Sequence, residues 1–141
     1  MKQVIMARIA ALETMAKSIE KENCRKAPFA EIHVLSFLQD RAEVWFYPSG
    51  AGSTKRKHPE KTIIEAIKEA ESLVDRSRVS VSLWPWCKEW AHAQTILSDD
   101  YTAEQKARFK AESPELSVLY DNNGELLRLI GSLPQRMEAR K

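Results

Sequence analysis

Apolar residues recur along the first twenty positions at Ile5, Ile9, Leu12, Ala16 and Ile19. This is the a/d rhythm of a helix that lays one seam against a neighbouring surface. Val4, Met6, Met15 and several alanines widen the stripe. Residues 1–23 are therefore expected to form an N-terminal helix. Its seam can be buried on the chain's own sheet or, as an oligomerisation element, between two copies in a homodimer. Polar residues and Pro28 end it.

The period then shortens to that of strands. Ala30 to Leu38 and Ala42 to Tyr47 are rich in β-branched and aromatic residues and flank Gln39-Asp40-Arg41, which predicts a hairpin. Pro59 to Val74 returns to a helical period, with Pro59 at the first position and Ile63, Ile67, Ala70 and Val74 on one face. Val79, Val81 and Leu83 alternate with Arg78, Ser80 and Ser82, as in a half-buried strand. A helix is expected from Pro85 to about Leu97, and Thr102 with Gln105 is a capping box for another that ends before Pro114. Leu116 to Tyr120 and Glu125 to Ile130 flank Asp121-Asn-Asn-Gly124, which predicts a second hairpin. Residues 134–141 read as a charged, flexible tail. The expected fold is a single α+β domain over residues 1–141. It has a roughly five-stranded, mostly antiparallel sheet, an N-terminal helix and two or three covering helices.

Composition narrows the function classes. A chain of 141 residues buries enough surface for one core. With 22 basic and 20 acidic residues, it is too balanced to bind nucleic acid over its whole surface, so any anion site must be a local patch. Cys24 and Cys87 match no metal or redox spacing and read as idle thiols. The N-terminus lacks the apolar core of a signal peptide, and no apolar run is long enough to span a membrane. A cytoplasmic location without a membrane partner is expected.

One local patch is present. Pro48-Ser-Gly-Ala-Gly-Ser-Thr-Lys-Arg-Lys-His58 joins the second strand to the following helix. Gly50 and Gly52 allow close backbone approach, Ser53 and Thr54 supply hydroxyls, and Lys55, Arg56, Lys57 and His58 supply charge. These are the groups that hold a phosphate. The stretch is neither a Walker motif nor a GxGxxG fingerprint. A solvated surface connection would use the same residue types.

The order of a helix, strands, then Gly50-Ala-Gly-Ser-Thr-Lys-Arg-Lys57 leading into an alanine-containing helix resembles the double-stranded RNA-binding domain. The resemblance covers about the first half of the chain. It implies that Lys55, Arg56 and Lys57 grip phosphates across a groove. The sequence departs from that pattern in showing two strands rather than three, in the His58-Pro59 break, and in Glu60 at the helix start.

The second constellation is Trp84-Pro-Trp-Cys-Lys-Glu-Trp90. Trp86 and Trp90 share a helical spacing and can fill the core or anchor a protein partner. Trp84, at a strand end beside Pro85, is the one to stay partly exposed. Its place after Val79, Val81 and Leu83 nevertheless predicts that truncating it lowers the melting temperature. Catalytic arrangements are poor: His33, His58 and His92 are scattered, and Glu89 with His92 is a single carboxylate–histidine pair. No cofactor, metal or enzymatic activity is expected. The sequence is read as a small non-catalytic protein that holds nucleic acid or a nucleotide through the basic loop. The alternative is a protein-interaction module, an inhibitor or adaptor, docking through Trp84, Trp86, Trp90 and the seam Ile5, Ile9 and Leu12.

Overall fold

The computed structural model describes residues 2–23, 25–49 and 60–137 and the backbone of residues 56–57. The chain divides into two compact units, Met1–Cys87 with Gln135–Lys141, and Lys88–Pro134.

In the first unit, helix α1 (Lys2–Ala16) is followed by strands β1 (Phe29–Ser36), β2 (Arg41–Tyr47) and β3 (Arg56–Lys57). Helix α2 (Ile63–Leu73), strand β4 (Val79–Ser82) and the closing strand β5 (Arg136–Met137) complete it. The strands form one sheet in the order β3-β2-β1-β4-β5. The expected hairpin is present as an antiparallel β1–β2 pair, with Asp40 in the left-handed region at φ 57 where the chain turns. The sheet is mixed rather than mostly antiparallel, because β4 returns beyond α2 and pairs parallel with β1. A parallel strand inside a sheet is covered on both faces, and all four residues of β4 are buried, the serines included.

Register sorts the side chains into two faces, since directly paired residues point the same way. Ala30, Ile32 and Val34 pair with Phe46, Val44 and Ala42, and Ala30 and Ile32 pair on the other side with Val79 and Val81. This apolar face meets the helices: α2 packs on β1 and β2, and α1 packs on α2 and β4. The seam of α1 is used here. Ile5, Ile9, Leu12 and Ile19 are buried within the fold, and the helix ends at Ala16, short of the expected boundary. The opposite face carries Phe29, Glu31 and His33 beside Tyr47, Trp45 and Glu43.

Helix α2 begins later than Pro59 suggests. Lys61 exchanges two backbone hydrogen bonds with Ala42, at 2.8 and 3.0 Å, so residues 60–61 still run along β2. The helix then starts with a capping box. Thr62 Oγ1 accepts from the Glu65 amide at 3.2 Å, and Glu65 Oε1 accepts from the Thr62 amide at 3.0 Å. Asp40 Oδ1 accepts from the Ile63 amide at 3.0 Å, which ties the hairpin turn to the helix. The charged tail is also anchored further than its composition implies. Met137 and Arg136 pair with Val81 and Ser82, and the Gln135 carbonyl accepts from the Leu83 amide.

The second unit is helical: α3 (Lys88–Leu97), α4 (Ala103–Glu112), a 3-10 helix (Pro114–Tyr120) and α5 (Asp121–Gly131). The Thr102–Gln105 capping box stands where the sequence places it. Helix α3 opens at Lys88, not Pro85, because residues 84–86 form a turn closed by the Cys87 amide donating to the Leu83 carbonyl. The second hairpin does not exist. Asn122, Asn123 and Gly124 adopt left-handed conformations at φ 54, 60 and 75, as their residue types allow. They make a corner between two helical segments rather than a turn between strands. Among the described residues there are five α-helices, four of them beyond the N-terminal one, against the two or three expected.

Candidate functional site

Of the loop residues singled out as phosphate ligands, Gly50, Gly52, Ser53, Thr54, Lys55 and His58 lie outside the described residues. Arg56 and Lys57 form β3, the edge strand of the sheet, with Cα register opposite Phe46 and Trp45. Two basic residues are thus held by backbone pairing beside a run of three half-buried aromatics, Trp45, Phe46 and Tyr47. Tyr47 stacks on Phe29 with ring centroids 4.5 Å apart.

Across β1, β4 and β5, the sheet carries a polar cluster that sequence reasoning did not assemble. Arg136 Nη1 lies 3.3 Å from Glu31 Oε2 and 3.2 Å from Ser80 Oγ. His33 Nε2 lies 3.6 Å from Glu31 Oε1. Its ring stacks on Trp86 at 4.4 Å and tilts against Trp45 at 5.1 Å. His33 is only 4% exposed, and among the described residues its Nδ1 has no hydrogen-bond partner. Burial pushes the Glu31 carboxyl up, but hydrogen bonds from His33 and Tyr47 and the charges of His33 and Arg136 outweigh it and hold it at about 2. Burial, with the neighbouring Glu31 carboxylate, pushes the Tyr47 hydroxyl up to about 12. Glu31 is therefore an anion at neutral pH, paired on this face with Arg136. Alternation along β1 is the one local signal for the cluster, because Arg136 arrives from 105 residues away.

The tryptophans separate. Trp84 is 51% exposed and Trp86 36%, while Trp90 is buried and donates from Nε1 to the Leu133 carbonyl at 2.9 Å. Ser82 Oγ donates to the Trp84 carbonyl at 2.9 Å, which fixes the backbone of the turn. Ile5, Ile9 and Leu12 are occupied by the core, so a partner reaches them only if the fold opens.

In the second unit, the partner of His92 is Tyr120 rather than Glu89. His92 Nε2 and the Tyr120 hydroxyl are 2.5 Å apart, with the rings edge to face. Burial lowers the His92 pKa, with Glu115 opposing and Lys88 reinforcing the shift, and burial raises that of Tyr120. Lys88 and Glu115 form an exposed ion pair. Lys110 Nζ sits 4.2 Å from the Tyr120 ring centroid.

Among the described residues, no group of three or more His, Cys, Asp or Glu side chains is placed to hold a metal ion, and no helix is long and apolar enough to cross a membrane. Compared with protein-family models, curated proteins and solved structures, the chain has no match.

Proposed function

We propose that this chain is a small non-catalytic protein that holds a phosphate-bearing ligand, a nucleic acid or a nucleotide, through its Gly/Ser-rich basic loop. The observation that carries the reading is the edge pairing of Arg56 and Lys57 with Phe46 and Trp45. A strand restrains part of the basic stretch, which lowers the entropy lost when phosphates are gripped. Aromatics beside cations suit bases as well as phosphates.

Converting Lys55, Arg56 and Lys57 together to alanine is the test. Single-stranded RNA, duplex RNA and ATP are titrated at two salt concentrations, followed by intrinsic tryptophan fluorescence. Binding should weaken at least tenfold with the far-UV circular dichroism unchanged. For the nucleic acids, the log–log salt slope should fall by about 0.7–0.9 for every phosphate that the removed cations had neutralised. The ligand should be recovered chemically intact. Unaltered affinity in the triple variant would reduce the loop to a connection.

A second reading, a protein-interaction module, is favoured by the exposure of Trp84 and Trp86 on one turn. Aromatic pairs of this kind serve as hot spots. About half of the Trp84 side chain is buried, so Trp84→Ala should lower the melting temperature by a few degrees, at a cost of about 1–2 kcal/mol rather than the ~3–5 kcal/mol of a core tryptophan. Differential scanning calorimetry checks this, and a fall of many degrees would assign Trp84 a structural role instead.

A further inference from the structure

Helix α4 and the 3-10 helix of the second unit border a cavity of about 480 Å³, a size typical of small-ligand sites. Lys110, Ser113, Ser117 and Tyr120 line it together with the apolar Ala107, Ala111 and Pro114. No carboxylate lines it. Ser113 stands between two helices yet makes no side-chain cap bond. The Lys110 ammonium lies over the Tyr120 ring, and Lys110 and Ser117 are exposed to solvent. An ammonium and two hydroxyls that line one concave surface without a carboxylate are complementary to an anion.

We propose that this cavity binds a small organic anion, a carboxylate or a phosphate monoester. Its charged end meets Lys110, Ser113 and Ser117, and its carbon body lies on Ala107, Ala111 and Pro114. The site is separate from the basic loop. Tyr120 couples it to His92. Before a ligand binds, Nε2 of a neutral His92 accepts a hydrogen bond from the Tyr120 hydroxyl, which keeps its proton, at 2.5 Å. When the anion arrives, His92 takes one proton from solvent at Nε2 and donates to the Tyr120 oxygen, and the Tyr120 O–H turns to the anion. No covalent bond to carbon or phosphorus changes.

The charges that act on His92 are Glu115 of the 3-10 helix and Lys88 of its own helix. Lys110 of α4 lies beyond the Tyr120 ring, and Glu89, one turn earlier on α3, is buried. Helix α5 also packs on α3, with Asp121, Glu125 and Arg128 exposed to solvent. Since burial disfavours the imidazolium, the added negative charge of a ligand is what restores it.

The probes are benzoate, phenyl phosphate and the neutral benzamide, titrated into the full chain by calorimetry and by NMR of the His92 ring. At least one anion should bind, and benzamide should not; the tighter anion identifies the head group as carboxylate or phosphate. Binding should take up a proton, with affinity rising up to tenfold per unit fall in pH above the His92 titration. Lys110→Met should weaken it at least tenfold. Tyr120→Phe should remove the pH dependence, and changing Lys55, Arg56 and Lys57 to alanine should leave this binding unaltered. The proposal is overturned if neither anion binds at millimolar concentration, if benzamide binds equally well, if Lys110→Met is silent, or if the loop variant abolishes binding.

Discussion

Leu12→Glu is expected to abolish the cooperative unfolding transition of the first unit. Leu12 has no solvent exposure in α1, where the helix meets α2 and β4. A carboxylate at that position would be buried without a partner and without room for water. The effective penalty is several kcal/mol even after relaxation, against a typical total stability of about 5–15 kcal/mol. Leu12→Ala, which deletes volume without adding charge, should cost ~3 kcal/mol and preserve a cooperative melt at lower temperature. Circular dichroism melting and sedimentation velocity measure both consequences. A folded monomer from Leu12→Glu, derived from a dimeric parent, would place the seam between subunits and contradict its role inside the fold.

The a/d rhythm of α1 was legible because a helix buries one stripe whichever surface covers it; the rhythm does not say which surface that is. The β1–β2 hairpin and the Thr102–Gln105 box were legible for a similar reason, since each is decided by neighbours in sequence. The second hairpin failed on period. Asp121-Asn-Asn-Gly124 does hold left-handed residues, but Leu116, Leu119, Leu126, Leu127 and Ile130 recur at three- and four-residue spacings, which is helical. The parallel pairing of β4 was hidden by Ser80 and Ser82, which alternate like solvent-facing residues. Hydroxyls this small can be buried once bonded, here with Arg136 and the Trp84 carbonyl. For the candidate sites, the basic loop declares itself by composition. The Glu31–Arg136 and His92–Tyr120 pairs join residues 105 and 28 positions apart and depend on strand order and helix packing that no local pattern encodes.

The stability of the first unit should fall as pH drops from about 4.5 to about 2, and Glu31→Gln should flatten much of that fall. Glu31 has an ordinary value of 4.5 and is held at about 2 in the fold. A depressed carboxyl contributes stability that is present above its unfolded value and lost as pH falls through its folded one. At about 1.4 kcal/mol per pH unit, the full difference is worth ~3 kcal/mol. The side chain retains 14% exposure, so solvent screening brings the expected effect to ~2 kcal/mol. The exposed carboxylates Glu65, Asp75 and Glu115 are also lowered, the first two by hydrogen bonds at helix starts and the third by Lys88. They remain in the variant, so the difference between the two pH profiles isolates Glu31. The alkaline limit has the opposite sign. Burial raises Tyr47 from 10.0 to about 12, so its contribution is complete below 10 and lost as pH climbs to about 12. Urea unfolding of parent and Glu31→Gln at pH 7, 4 and 2.5 measures the acid limb directly. The variant should be ~2 kcal/mol less stable than the parent at pH 7, with the gap reduced to about 0.5 kcal/mol at pH 2.5. Parallel profiles across that range would mean that Arg136, Tyr47 and His33 do not hold the carboxylate ionised.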